Sequence, residues 1–260
     1  MSSLALDSTT MLRRNLLHAR RYPSLTLNLL LTPIMLLLLF VYIFGDALSA
    51  GIGGGPPDRS RYIAYLVPGL LLMTIGSTVI GTAVSVSNDM TEGIIARFRT
   101  MAIHRGSVLV GHVIGSVLQS VASVLVVGAV AVAIGFRSTD ATVVEWLAAF
   151  GLLVLFALAL TWIAVGMGLV SPNAEAASNN ATPLILLPLL SSAFVPVDSM
   201  PGWFRPIAEY QPFTPAIETL RGLLLGTGIG HNGWLAIAWC LGLTLLGYFW
   251  ATAKFANGSQ

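Results

Sequence analysis

The chain has 260 residues, of which 9% are charged and 55% belong to the apolar classes, with a mean hydropathy of +0.82 and a formal net charge of +2. Soluble domains carry about 25% charged residues and disordered chains need high charge with few apolar groups, so both classes are excluded. The net charge is also too small for a nucleic-acid binder, which leaves an integral membrane protein.

Residues 8–22 read as an amphipathic helix. Leu12, Leu16, Ala19 and Tyr22 recur at spacings of three and four, with Arg13, Arg14, Arg20 and Arg21 beside the stripe and Pro23 at its end. Such a helix lies in the membrane surface with its arginines among the headgroups. The same arginines also suit a plain positive flank to the first span.

A membrane-crossing helix needs about 20 predominantly apolar residues. Six stretches lack Asp, Glu, Lys and Arg: Tyr22–Gly45, Tyr62–Asn88, Gly106–Phe136, Trp146–Ala174, Ala176–Val197 and Gly222–Ala253. Their apolar cores predict six transmembrane helices near 25–45, 63–87, 107–135, 146–170, 181–197 and 233–253. Ala47 to Ala50 faintly resembles a cleavage site, but the first run exceeds the roughly 7–15-residue core of a signal peptide and is expected to stay as a span. β-barrel strands, which alternate polar and apolar residues, do not fit these runs.

Along span two, Ser77, Thr78, Thr82 and Ser85 form a polar streak; on span three Gly111 and Gly115 make a GxxxG pattern continued by Ser116 and Ser120, beside Gln119. These groups suit either a translocation path or hydrogen bonds across helices. Between the two spans, Asn88–Arg105 mixes Asp89, Glu92, Arg97, Arg99 and Arg105 with Ile94, Ile95, Phe98, Met101 and Ile103. Ile94, Phe98 and Met101 share one helical stripe. A short helix with an apolar knob and charged flanks suits docking into a groove of another protein, or resting on lipid.

Span five is short and carries Pro183 and Pro188, with Pro196 at its end, so a kinked or broken helix is expected. The stretch from Asp198 to Gly226 is too apolar for a free loop and is punctuated by Pro201, Pro206, Pro212 and Pro215. It predicts two short helices that dip into the outer half of the bilayer and return. Trp203, Phe204, Tyr210 and Phe213 are expected there as an aromatic outer gate or as interface anchors.

With six spans both termini share a side. That side holds Arg13, Arg14, Arg20, Arg21, Arg97, Arg99, Arg105 and Lys254, against Arg59, Arg61, Arg137, Arg205 and Arg221 opposite, so the termini are predicted to be cytoplasmic. The sequons at Asn180 and Asn257 then fall on the cytoplasmic side and read as chance.

A single cysteine, Cys240, excludes an intrachain disulfide or a cysteine zinc cage, and His18, His104, His112 and His231 have no metal-ligand spacing. Lys254, the chain's one lysine, lies between Ala253 and Phe255 rather than in a Gly-rich turn, so there is no phosphate-binding P-loop and any ATP must bind another chain. No carboxylate falls in a trimmed span core, and His112 alone makes no proton relay. No internal repeat appears.

Two segments carry a family likeness. Asp89, Gly93, Arg97, Phe98, Arg99 and Met101, in the pattern Asp-x3-Gly-x3-Arg-Phe-Arg-x-Met, resemble the coupling segment of bacterial ABC-2 exporter permeases of the daunorubicin/doxorubicin-resistance type. The run from Phe194 to Pro215 is similar to that family's outer segment. One departure is Ala102, where the family often has proline. The resemblance implies one transmembrane domain over residues 1–260, in a homodimer paired with two ATP-binding subunits that carry the ATP and magnesium. It implies that Glu92, Ile94, Arg97, Phe98, Arg99 and Met101 couple to the ATPase, in a bacterial cytoplasmic membrane, and that the cargo is a hydrophobic or amphipathic drug or lipid. On this reading the chain is no enzyme and binds no cofactor itself. A secondary multidrug or lipid carrier competes with it, and is disfavoured by charge-free spans. A membrane enzyme would need a nucleophile–base or carboxylate pair, and neither is visible.

Overall fold

The computed structural model describes residues 23–45, 58–91, 105–138 and 140–257, which form helices and turns with no strand among them. In chain order the helices are α1 (Pro23–Tyr42), α2 (Arg59–Thr91), α3 (Arg105–Ala133), α4 (Val143–Val170), α5 (Ala174–Ala181), α6 (Pro183–Leu186), α7 (Arg205–Tyr210), α8 (Phe213–Leu225) and α9 (Asn232–Asn257). Two 3₁₀ turns, Leu187–Leu190 and Val197–Ser199, lie between α6 and α7.

Among the described residues α2, α3, α4 and α9 are long and apolar enough to cross a membrane, matching the expected second, third, fourth and sixth spans. The expected first span is helical as α1, which has 20 residues from Pro23 to Tyr42. The expected fifth span, 181–197, is interrupted as its prolines suggest: it consists of α6, a 3₁₀ turn and a run of turns rather than one continuous helix. Pro183 and Pro188 each lack the N–H that a continuing helix requires. The predicted surface helix, with Arg13, Arg14, Arg20 and Arg21, lies outside the described residues.

Local chemistry sets the helix starts. Asp58 Oδ1 accepts from the N–H groups of Ser60 (2.9 Å) and Arg61 (3.4 Å) at the head of α2. These partners, the Ser60 hydroxyl first, hold the Asp58 carboxyl below its usual range. At α4, Glu145 N–H donates to Thr142 Oγ1 (3.3 Å) and Thr142 N–H to Glu145 Oε2 (2.6 Å), a reciprocal capping box. Asn173 caps α5 by accepting from Ala176 N–H at 2.8 Å.

Helix α2 is the hub, packed against α1, α3, α4, α5 and α8. Over the most apolar 18 residues, 83% are buried in α2 but 22% in α9, so α2 is enclosed by protein while α9 forms the rim. On that rim Leu241, Leu245, Leu246 and Phe249 are exposed, as are Leu118 and Leu125 on α3. Apolar surface of this extent is excluded from water and calls for lipid or a partner.

The broken segment reaches α2 through two glycines seven residues apart, hence on one face. A Cβ at Gly69 would lie 2.6 Å from Ala193 Cβ, and one at Gly76 would lie 2.6 Å from the Leu184 carbonyl oxygen. Phe194 at the far end of the segment packs on Phe40 of α1, with ring centroids 4.5 Å apart. Gly76→Ala is therefore expected to lower stability by about 1–3 kcal/mol through overpacking. Gly81→Ala, where a Cβ meets nothing within 4 Å, is expected to leave stability unchanged or raise it by up to about 1 kcal/mol. Thermal unfolding midpoints of the two detergent-solubilised variants check this contrast.

Candidate functional site: the outer segment and the polar seam

A broken helix in apolar surroundings exposes carbonyls that need partners. Here Gln211, between α7 and α8, and Arg221 of α8 supply them. Gln211 Nε2 donates to the carbonyls of Leu190 (2.8 Å) and Leu187 (3.2 Å). Thr214 accepts from Ser192 N–H at 3.3 Å and donates to the Ala208 carbonyl at 2.5 Å, joining the break to α7. Arg221 reaches furthest. Its Nη2 donates to Ser192 O (2.9 Å) and Tyr65 O (3.0 Å), its Nε to Tyr65 O (3.2 Å), and its Nη1 to Glu218 Oε1 (2.5 Å). The guanidinium also sits 3.7 Å from the Tyr65 ring centroid.

Arg221 is brought inside because α8 is a core helix. Phe213, Ala216, Ile217 and Leu220 are fully buried and Leu224 nearly so, against α2, α4 and α9. A helix turn places Glu218 one turn before Arg221, so the buried cation carries its own counter-ion. Nearby, Arg205 pairs with Asp198 at 3.5 Å on an exposed edge. A cavity of about 390 Å³ opens between these groups, lined by Tyr65, Asp198, Arg205, Glu209, Glu218, Arg221 and His231 among others. Its walls carry charged hydrogen-bonding groups of both signs beside apolar side chains.

The four aromatic residues expected together at the outer gate separate. Trp203 (77% exposed) and Tyr210 (57%) lie on the surface, and Phe204 is half-buried against Trp203, with ring centroids 5.5 Å apart. Phe213 instead points into the core, edge-on to Phe156 with centroids 5.0 Å apart. Trp239 of α9 donates its indole N–H to the Tyr210 carbonyl at 2.9 Å, tying the end of α7 to the rim helix.

The polar streak of α2 meets α3 as a seam. Thr78 and Ser120 hydroxyls are 2.7 Å apart, Thr82 donates to Ser116 Oγ at 2.6 Å, and Ser116 lies 3.1 Å from Thr161 of α4. All five are buried, so these groups bond across helices. The seam continues to a buried pair, Asp89 Oδ2 and His112 Nε2, 2.9 Å apart. Asp89 lies just beyond the expected second span, 63–87, in the last turn of α2, which runs to Thr91, and its side chain is buried. The expected coupling residues Glu92, Ile94, Arg97, Phe98, Arg99 and Met101 lie outside the described residues. No group of three or more potential metal ligands occurs among the described residues.

Arg221, Glu218, Gln211 and Asp89 were not read from the sequence as site residues. A signal for the first was present, an Arg three residues after a Glu inside an otherwise apolar helix start.

The model of the ABC-2 type transporter family matches residues 8–225. The chain is 28% identical over 220 residues to the daunorubicin resistance ABC transporter permease protein of Streptomyces coeruleorubidus, covering 84% of this chain and 75% of that one. It is 22% identical over 160 residues to a probable doxorubicin resistance ABC transporter permease protein of Mycobacterium tuberculosis, covering 60% of this chain and 57% of that protein. Nodulation protein J of Rhizobium meliloti is 25% identical over 210 residues, covering 74% of this chain and 73% of that one.

Removing Arg221 leaves Ser192 O and Glu218 without their buried cation. Arg221→Ala is expected to destabilise the fold by about 3–5 kcal/mol. Arg221→Lys, which keeps the charge but loses the planar fork, is expected to fall between this variant and the natural protein. Folded yield and unfolding midpoint in detergent check the order.

Proposed function

The chain belongs to the ABC-2 type transporter family, and from that premise we propose that it is the membrane permease subunit of an ATP-driven exporter of hydrophobic or amphipathic molecules, a drug or a lipid. The carrying observation is the family match across residues 8–225. The permease names of the Streptomyces and Mycobacterium relatives support the drug-export reading. No observation favours a secondary carrier.

In this reading the chain is one transmembrane domain in a bacterial cytoplasmic membrane. α1 and the broken segment complete six spans with α2, α3, α4 and α9, and both termini are cytoplasmic. The segment holding Glu92, Ile94, Arg97, Phe98, Arg99 and Met101 docks into an ATP-binding subunit, two copies of which serve a homodimer. ATP and magnesium bind there. The helix before α1, with Arg13, Arg14, Arg20 and Arg21, rests among headgroups. α7 and α8 form a re-entrant pair, supported by the buried apolar side of α8 and by the pairing of its irregular neighbours. Trp203, Phe204 and Tyr210 form the exit surface, and Phe213 anchors it.

Phe98→Asp places a charge where an apolar groove is expected, a penalty above the roughly 2–7 kcal/mol of an unpaired polar group. Assembly with the ATP-binding subunit, or substrate-stimulated hydrolysis, is expected to collapse while membrane insertion survives. In the same assay, Trp203→Ala combined with Tyr210→Ala is expected to keep assembly and change the export ratio of two chemically unlike substrates. Normal transport by the first variant, or equal loss for both substrates in the second, overturns the respective role.

Orientation has its own test. Ser3→Cys and Ser259→Cys, each in a Cys240→Ala background, are expected to resist an impermeant thiol reagent in intact cells. Labelling at either end overturns the cytoplasmic placement of the termini.

A further inference from the structure

The pair Asp89–His112 holds α2 to α3 at an unusual place. Asp89 lies two residues before the end of α2 and His112 seven residues after the start of α3, so the pair brackets residues 92–104. Both side chains are under 10% exposed, and the Nε2–Oδ2 distance is 2.9 Å. Ionisable groups among packed membrane helices are rare and generally serve function. Helix association alone does not call for this one. The same interface already has the contacts Thr82–Ser116 and Thr78–Ser120, and the apolar packing of Val86 with Leu109 and Val113. Replacing a buried ion pair by apolar groups is often neutral for stability.

The residue register shows what the pair adds. The contacts 89 with 112, 82 with 116 and 78 with 120 run down α2 as they run up α3, and Thr161 attaches α4 to the same line. Helix ends fray within about one turn when nothing fixes them. The pair ties the last turn of α2 to the early turns of α3. At about 1.5 Å per residue, a shift at His112 is delivered about 12 Å along α3 to Ser120.

We propose that Asp89 and His112 are positioning residues for energy coupling: a clamp that makes a displacement of residues 92–104 into a joint movement of α2, α3 and α4. The inference rests on the reading of the chain as an ATP-driven permease.

The test uses the complex of the full chain with its ATP-binding subunit, reconstituted in lipid. In Asp89→Ala and His112→Ala, assembly and basal hydrolysis persist, and substrate stimulation falls roughly tenfold, within the usual range of coupling between sites. The exchanged double variant, Asp89→His with His112→Asp, regains stimulation, which a packing role does not predict. Unchanged stimulation in the folded alanine variants overturns the clamp, as does an exchanged variant that folds but stays uncoupled. Hydrogen exchange of the natural complex, with and without nucleotide, decides the matter even if a variant fails to fold. Changed protection along α3 as far as Ser120 supports the clamp, and a change confined to residues 105–111 overturns it. A natural chain that assembles with no ATP-binding subunit overturns the exporter reading and the clamp together; an intact natural response that survives loss of the pair overturns the clamp alone.

Discussion

The carbonyls of Leu187, Leu190 and Ser192 take donors from side chains, and this end of the molecule is organised around supplying them. In water this need is trivial, because solvent serves any exposed carbonyl. Among apolar helices each unpaired group costs several kcal/mol. Gln211 and Arg221 donate to these carbonyls and Thr214 accepts from the Ser192 N–H, and all three sit on or beside the short helices that follow. The break and the outer helices are thus one unit. The prolines that interrupt the chain create the vacancies, and the segment that follows fills them.

That unit is fastened to α2 by steric and electrostatic means at once. Gly69 and Gly76 open the surface of α2 to backbone contact with Ala193 and Leu184. Arg221 then joins Tyr65 O on α2 to Ser192 O on the break. A larger residue at either glycine would push the break outward and lengthen the reach asked of the guanidinium. The buried charge is tolerable because Glu218 is one turn away and the Tyr65 ring covers one face. A cation with that many fixed partners holds the wall of the outer cavity in place.

Much of this was legible and some was not, for identifiable reasons. Long charge-free runs mark α2, α3, α4 and α9 because burial or lipid contact demands apolar residues at every turn of a helix. Two prolines forecast the break in the fifth run, and Pro212 with Pro215 forecast the start of α8. The partners of the break were hidden, since a carbonyl has no side-chain signature and its donor lies 21 to 29 residues away in sequence. Asp89 stands just past the charge-free run, as a helix end suggests; its burial was hidden because its partner His112 lies 23 residues on. Phe213 was grouped with surface aromatics by proximity in sequence, yet a helix turns successive residues about 100° apart, and its direction follows from the apolar face of α8.

The enclosure of α2 also has a history in time. It is made early in the chain, while α4, α5 and α8, which cover it, are made later. Until they arrive, its hydroxyl-bearing face stands in the bilayer without neighbours. Thr74, Ser77 and Thr78 each donate to a carbonyl of their own helix, those of Leu70, Thr74 and Ile75. Thr78, which meets Ser120 of α3, therefore also has a partner within its own helix. A newborn α2 is thus supplied in part from within, and the bonds of Thr82 to Ser116 and of Asp89 to His112 form when α3 follows it.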